Sequence, residues 1–241
     1  MEGRYARQEA LEFIGKKGQA RLSRCSVAVV GCGGLGSVAA ELLARAGIGK
    51  LLLIDYDVVD ITNLQRQSLY TERDVGKKKA LCLANHLRGI NSSLDISAKP
   101  VEINVKNIKT ILKDCGVVLD CTDNIDTRLI INDFCAKNSI PWVHGSAAGT
   151  AGFILSIVPG SPCFRCAFPK AKQGLSCREV GILGSTAHVI ASLQVVEVVK
   201  LLLGKACETN LVRIDILSYS IRKMAVKKDP SCIACGSKVR G

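Results

Sequence analysis

The sequence predicts an α/β protein built on a doubly wound, mainly parallel sheet with a C-terminal antiparallel extension. Three observations carry this. Short β-branched runs alternate with segments of helical period as far as about residue 150. A glycine-rich turn joins the first run to the first helix. Beyond residue 150 the alternation gives way to one long apolar helix and a hairpin pattern. Strands that alternate with helices imply parallel pairing, because each right-handed crossover lays a helix on a sheet face.

Ser26-Val-Ala-Val-Val30, bounded by Gly31, reads as a buried strand. Leu35, Val38, Ala39, Leu42 and Ala46 then fall on one helical face, and Gly47 and Gly49 end that helix. Lys50-Leu-Leu-Leu-Ile54 is the second strand, closing on Asp55. A helix follows over Lys77–Asn91, a strand over Leu94–Val101 and a buried run over Val117–Leu119 ending in Asp120. Asp126–Lys137 reads as a helix and Pro141–His144 as a strand. In the second part, Gly152–Pro159 is a strand and Ser185–Gly204 a helix apolar on nearly every face, which must be buried in the core or between subunits. Leu211–Leu217 and Ser220–Val226 form a closing hairpin. With no repeat and no Pro- or Ser-rich linker, residues 1–241 read as a single domain.

The chain has 241 residues, of which 48% are hydrophobic and 22% charged, which excludes a mostly disordered polymer. No apolar leader opens Met1-Glu2-Gly3-Arg4, and the most apolar stretch, Ile182–Leu203, carries His188, Gln194, Glu197 and Lys200, all costly in lipid. A cytoplasmic protein without a membrane span is expected. Its 12 cysteines then sit where thiols stay reduced, which puts metal binding or catalysis ahead of disulfides. A net charge of +12 suits an anionic partner without choosing one.

Gly31-Cys-Gly33-Gly34-Leu-Gly36 follows the first strand and opens the first helix. The glycines allow a tight turn and close backbone approach, and the helix N-terminus offers unpaired amides to a phosphate. Asp55 lies near the distance expected of a carboxylate on a ribose hydroxyl. Together these indicate a nucleotide, and a nicotinamide dinucleotide is the default. The polar stretch from Asp55-Tyr-Asp57 to Asn63-Leu-Gln-Arg66-Gln67 has no evident use for nicotinamide. A helix dipole supplies about half a positive charge against about four negative charges on ATP, so a triphosphate needs added cations and a metal. Arg66 and Lys79 are candidates, and no Walker Gly-Lys-Ser/Thr pattern is present.

The chain at this point resembles the MoeB/ThiF/HesA family, bacterial and archaeal relatives of ubiquitin-activating enzymes. The resemblance runs through Arg4-Tyr-Ala-Arg7-Gln8, the glycine loop and Asp55-x-Asp57 with Asn63-Leu-Gln-Arg66-Gln67. It continues in Val75-Gly-Lys-Lys-Lys79, Asp120-Cys-Thr-Asp123-Asn124 with Arg128, and two Cys-x-x-Cys pairs. It implies ATP-dependent adenylation of the C-terminal glycine of a small ubiquitin-like sulfur carrier ending in Gly-Gly. The reaction would use Mg²⁺ and release pyrophosphate, for thiamine, molybdopterin or related sulfur transfer.

By the same resemblance, the loop of Gly31, Gly33, Gly34 and Gly36 lies against the phosphates and Asp55 holds the ribose, with Asp57 beside it. Asn63, Arg66 and Lys79 contact phosphates. Asp123 binds magnesium next to Asn124. Arg7 reaches the partner subunit's nucleotide in a homodimer. Residues 1–150 form the nucleotide-binding half, and 151–241 the carrier-binding and zinc half. Two departures matter. Thr150-Ala-Gly-Phe153 stands where many relatives carry Glu-Gly-Gln, and with no rhodanese-like segment the sulfur comes from a separate donor protein. Asp123 has a structural alternative as the cap of the following helix, and Arg66 and Lys79 as solvated surface charges.

Cys163-Phe-Arg-Cys166 and Cys232-Ile-Ala-Cys235 have the pairwise spacing of a four-thiolate zinc site. Four thiolates leave no position for water, so the zinc would be structural, tying the C-terminal tail to a mid-chain loop. Family members that form a covalent carrier link place a cysteine near Cys177, where Arg178 would favour the thiolate. Cys25, Cys32, Cys82, Cys115, Cys121, Cys135 and Cys207 read as small packing residues, as do His86 and His188. Two alternatives compete with the main reading. One is adenylation of another carboxylate, on a peptide or a modified tRNA base, though by the resemblance the zinc tetrad points away from the tRNA branch, which usually lacks those cysteine pairs. The other is a non-catalytic nucleotide-binding scaffold.

Overall fold

The computed structural model describes residues 3–170 and 180–236. Two short helices, α1 (Ala6–Glu9) and α2 (Gly15–Leu22), precede an eight-stranded sheet of order β3-β2-β1-β4-β5-β6-β7-β8. β1 (Ser26–Val30), β2 (Lys50–Ile54), β3 (Asp95–Lys99), β4 (Val117–Asp120) and β5 (Trp142–Ala148) are parallel. β6 (Ala151–Ile157), β7 (Leu211–Asp215) and β8 (Ser220–Met224) continue it as an antiparallel meander.

Side-chain alternation along each strand divides the interior into two layers. Val27 and Val29 of β1 face the side covered by α3 (Gly34–Ala46), α4 (Lys79–Ile90) and α8 (Gly184–Leu202). Ala28 and Val30 face the other, covered by α5 (Ile108–Leu112), α6 (Ile125–Asn138) and α7 (Phe164–Ala167). β4 repeats the pattern, Leu119 turning one way and Val118 the other.

α8 has the length and composition of a membrane span, yet it lies against α3, β5 and β6 with half its residues buried. Gln194 donates to the carbonyl of Asp120, and the Glu197 carboxylate accepts from Ser156, Lys200 and the amide of Glu208. Those buried polar contacts make α8 a core helix, the first of the two burial modes its composition allowed.

The predicted elements recur with ends shifted by a few residues. The sequence did not announce that β5 runs on to Ala148 and turns through Gly149-Thr150 straight into β6. Gly149 takes φ +57° there, a conformation that costs glycine least. The helices α1, α2, α5 and α7 also went unpredicted, since four to eight residues are too few to establish a period.

From β1 the chain winds outward to β2 and β3, then crosses back to β4 and β5. The loops after β1 and β4 therefore leave in opposite directions and open a crevice at the carboxyl ends of the strands.

Candidate active site

A cleft of about 1100 Å³ occupies that crevice. Gly31, Gly33 and Gly34 line it from the loop after β1, Asp55 and Asp57 from the end of β2, and Asn63, Arg66 and Lys79 from the segment that leads into α4. Asp123 and Asn124 close it from the loop after β4. These residues are spread over more than 90 positions of sequence, and the topology brings them to one cavity.

The glycine loop is shaped by close backbone contact. Gly31 holds φ +89°, and a Cβ there would lie 2.7 Å from the carbonyl oxygen of Cys121. Gly36 does not line the cleft. A Cβ on it would collide with the carbonyl of Gly31, so its hydrogen lets α3 pack against the strand end. No side chain caps α3, whose first-turn amides open on the cleft.

Asp55 is already engaged. One carboxylate oxygen accepts from the amide of Cys32 and the other from that of Asp57, both at 2.7 Å. Burial raises its pKa above the usual carboxylate value, against the pull of those amides and of Lys79. Lys79 is buried and pairs with Asp57 at 3.0 Å, so it is not the solvated surface charge its sequence context allowed. Arg66 donates to the carbonyl of Thr62 and lies beside Gly34. Asn63 accepts from the amide of Asp60, closing a one-turn 3-10 helix over Ile61–Asn63.

The capping alternative for Asp123 does not hold. Asn124 is the cap of α6, accepting from the amide of Thr127 at 2.8 Å, and Asp123 stands exposed at the cleft.

Behind Asp123 lies a buried charge cluster that sequence reasoning missed. Asp120 accepts from the amide and hydroxyl of Thr122 and, at 2.7 Å, from Nδ1 of His144. Arg128 donates to the carbonyl of Thr122 and stands 3.7 Å from Asp120. Burial opposes ionisation of Asp120, but the His144 hydrogen bond and the nearby positive charge prevail and hold its pKa below the usual range. Burial lowers the pKa of His144, leaving a neutral ring that donates to the carboxylate. The signal was a histidine at a strand end and an Asp ending the neighbouring strand. Their pairing depended on the β4–β5 register, in which Asp120 stands opposite His144. Gln67, buried against Gly33 at the cleft, was likewise passed over. The other two histidines are hydrogen-bonded rather than simply packed, His86 to Asp74 and His188 to Ser68.

Arg7 does not join this cavity. It is exposed on α1, whose neighbour Gln8 bonds the carbonyl of Ala46 at the C-terminal end of α3, a helix length away from the glycine loop. Cys177 lies outside the described residues.

The four nominated zinc ligands converge on the α6/α7 face, their sulfurs all within 4.8 Å of one another. Separations of 3.9 Å for Cys163–Cys166, 3.6 Å for Cys163–Cys232 and 3.5 Å for Cys166–Cys235 bracket a tetrahedral site. With zinc–sulfur bonds of about 2.3 Å, such a site spaces its sulfurs by about 3.8 Å. α6 holds the knuckle in place. Asn132 accepts from the amide of Phe164, and Asp133 pairs bidentately with Arg165 at 2.7 Å. Of the seven cysteines read as packing residues, Cys32, Cys82, Cys121 and Cys135 are buried, and Cys25, Cys115 and Cys207 are half-buried.

The chain resembles known proteins in sequence and in fold. The ThiF family model matches residues 5–234. The sulfur carrier protein ThiS adenylyltransferase of Bacillus subtilis is 38% identical over 99% of this chain and 73% of its own length. The SAMP-activating enzyme E1 of Haloferax volcanii is 38% identical over 97% of this chain and 88% of its own. Among solved structures, Escherichia coli MccB superposes with a TM-score of 0.87 at 23% identity, over 98% of this chain and 76% of that one, a likeness of fold. By its sequence over almost its whole length, and by the fold it adopts, this chain belongs to the ThiF family.

Proposed function

We propose that the protein is a nucleotidyltransferase that adenylates the C-terminal glycine of a small ubiquitin-like sulfur carrier, consuming ATP and releasing pyrophosphate. The observation that carries this is the convergence of the glycine loop, Arg66, Lys79 and Asp123 on one cleft. A scaffold that merely held a nucleotide would have no need of that ring of charge. The names of relatives 38% identical over nearly the whole chain support the same reaction.

In the reaction a carboxylate oxygen of the carrier attacks the α-phosphorus, the bond from that phosphorus to the bridging oxygen breaks, and the electron pair leaves with pyrophosphate. The nucleophile is already ionised at neutral pH, so no general base is required. The chain's task is to offset charge on the α-oxygens and the leaving group. Amides of the first turn of α3 face the phosphates, with Arg66 and Asn63 on one flank. Lys79 would exchange its Asp57 partner for phosphate oxygen. Asp55 anchors the loop through Cys32 and keeps lone pairs for the ribose. Asp123, exposed at the cleft while its neighbour caps α6, fits a hard oxygen ligand for Mg²⁺, which would neutralise pyrophosphate charge when bound.

Arg7, remote from its own chain's cleft, would serve the partner's nucleotide in a homodimer. Zinc on Cys163, Cys166, Cys232 and Cys235 would be structural. A cytoplasmic location would keep these thiols reduced and able to hold the metal.

The test is ATP–pyrophosphate exchange with Mg²⁺ against carriers ending in Gly-Gly and the same carriers lacking the last glycine. Exchange that requires the glycine is expected. ATP binding without exchange for any carrier would favour another carboxylate substrate or a scaffold.

A further inference from the structure

We propose that Tyr70, a core residue outside the cleft, is a positioning residue that holds the nucleotide loop in its binding shape. This rests on the nucleotide reading of the cleft. Cys32 lies between two glycines, Gly31 and Gly33, the neighbours that resist rotation least. Side chains fix it at both ends. Its N–H donates to Asp55, and its carbonyl accepts from the Tyr70 hydroxyl, each at 2.7 Å.

The same hydroxyl lies 3.3 Å from the carbonyl of Lys79, in the first turn of α4. The amide of Tyr70 donates to the carbonyl of Gln67, continuing the turn that carries Arg66. Tyr70 thus joins the three pieces of chain that present the loop amides, Arg66 and Lys79, its hydroxyl proton on Cys32, its oxygen against the Lys79 carbonyl and its amide on Gln67. Burial drives the phenol's pKa far above neutral, so it remains a donor at every physiological pH.

The direction of the Cys32 carbonyl is what matters for an anion. Bonded to Tyr70 it points into the core, away from the phosphates. Without the hydroxyl, a buried acceptor is left unpaired and the Cys32–Gly33 peptide is free to turn. A carbonyl oxygen swung toward the cleft repels the charge that the loop amides attract.

Tyr70→Phe removes the hydroxyl and keeps the ring in its cavity. Binding of a non-hydrolysable ATP analogue with Mg²⁺ is measured by calorimetry, beside pyrophosphate exchange kinetics. The expected result is a roughly tenfold weaker affinity and a matching rise in KM for ATP. The kcat at saturating ATP and the KM for the carrier stay close to wild type. Leu112→Ala, a truncation in the core layer on the opposite sheet face, is the control for general destabilisation and should lower Tm without changing ATP affinity. Wild-type affinity in Tyr70→Phe, or an equal loss in Leu112→Ala, would overturn the positioning role. A wild-type protein that binds no ATP analogue would overturn the proposed function itself, and this inference with it.

Discussion

At the carboxyl ends of β1 and β4 the main chain sets positions. Loop amides bond to Asp55, carbonyls to Tyr70 and Arg128, and glycines allow backbone to meet backbone at Gly31 and Cys121. At the cysteine knuckle, side chains distant in sequence do so. Cys163 meets Cys232 across 69 residues, and Asp133 grips Arg165 across 32. The first arrangement suits a site that must present donors to a changing charge. The second suits a closure that need only hold. α6 joins the two, beginning beside Asp123 and holding the cysteine knuckle through Asn132 and Asp133 at its middle. Variants in the first region should therefore abolish chemistry with little effect on folding, and variants in the second should do the reverse.

The sharpest separation is expected from Arg66→Ala and Asp123→Ala. Each should reduce pyrophosphate exchange by roughly 100-fold or more, since Arg66→Ala removes a cation aimed at the reacting phosphates and Asp123→Ala removes a ligand for the Mg²⁺ that would neutralise them. Tm and zinc content should stay at wild-type values. Normal exchange in either variant would break the division at its first term.

Cys163→Ser should do the opposite. Loss of one thiolate should release zinc, measured by elemental analysis, and lower Tm by roughly 10 °C. That corresponds to about 3 kcal/mol in a chain of this size. Exchange below the new transition should stay within a few-fold of wild type. If exchange vanished while the protein remained folded, the knuckle would be acting on the site through α6.

A smaller effect is expected from acid. His144 is held neutral in the fold while the unfolded chain takes a proton below about pH 6.5, so stability should begin to fall there. Asp120, with its folded pKa below the unfolded value of about 4, should add a second loss as the pH drops through that range. Urea midpoints against pH would show both. His144→Gln should flatten the upper step and, by removing the hydrogen bond that holds the Asp120 pKa down, weaken the lower one as well; an unchanged upper slope would assign it elsewhere. The smallest effect is expected from Cys177→Ala, which should leave exchange unaltered because the thiol acts, if at all, after adenylation. Loss of exchange would place it in the first step.

The same contrast explains what was legible in the sequence. The nucleotide end could be read because its parts are local. A glycine loop follows its strand directly, Asp55 ends the next strand, and Asn63 and Arg66 share one turn. The cysteine pairs were legible as pairs, since their spacing carries the chemistry. What escaped depends on register or tertiary approach. His144 meets Asp120 only because β4 and β5 align them, and Tyr70 reaches Cys32 across 38 residues through the core. The fold class followed from the alternation of periods, but the β5–β6 turn at Gly149 did not, because one glycine among small residues gives a weak signal.

The central claim is that AMP is transferred to the carrier's terminal carboxylate, and the intact mass of the carrier tests it most directly. After incubation with the enzyme, ATP and Mg²⁺, we expect a carrier that gains the mass of one AMP at its C-terminal glycine, and no gain when that glycine is deleted. An unmodified carrier, with ATP converted to ADP and phosphate, would contradict the account.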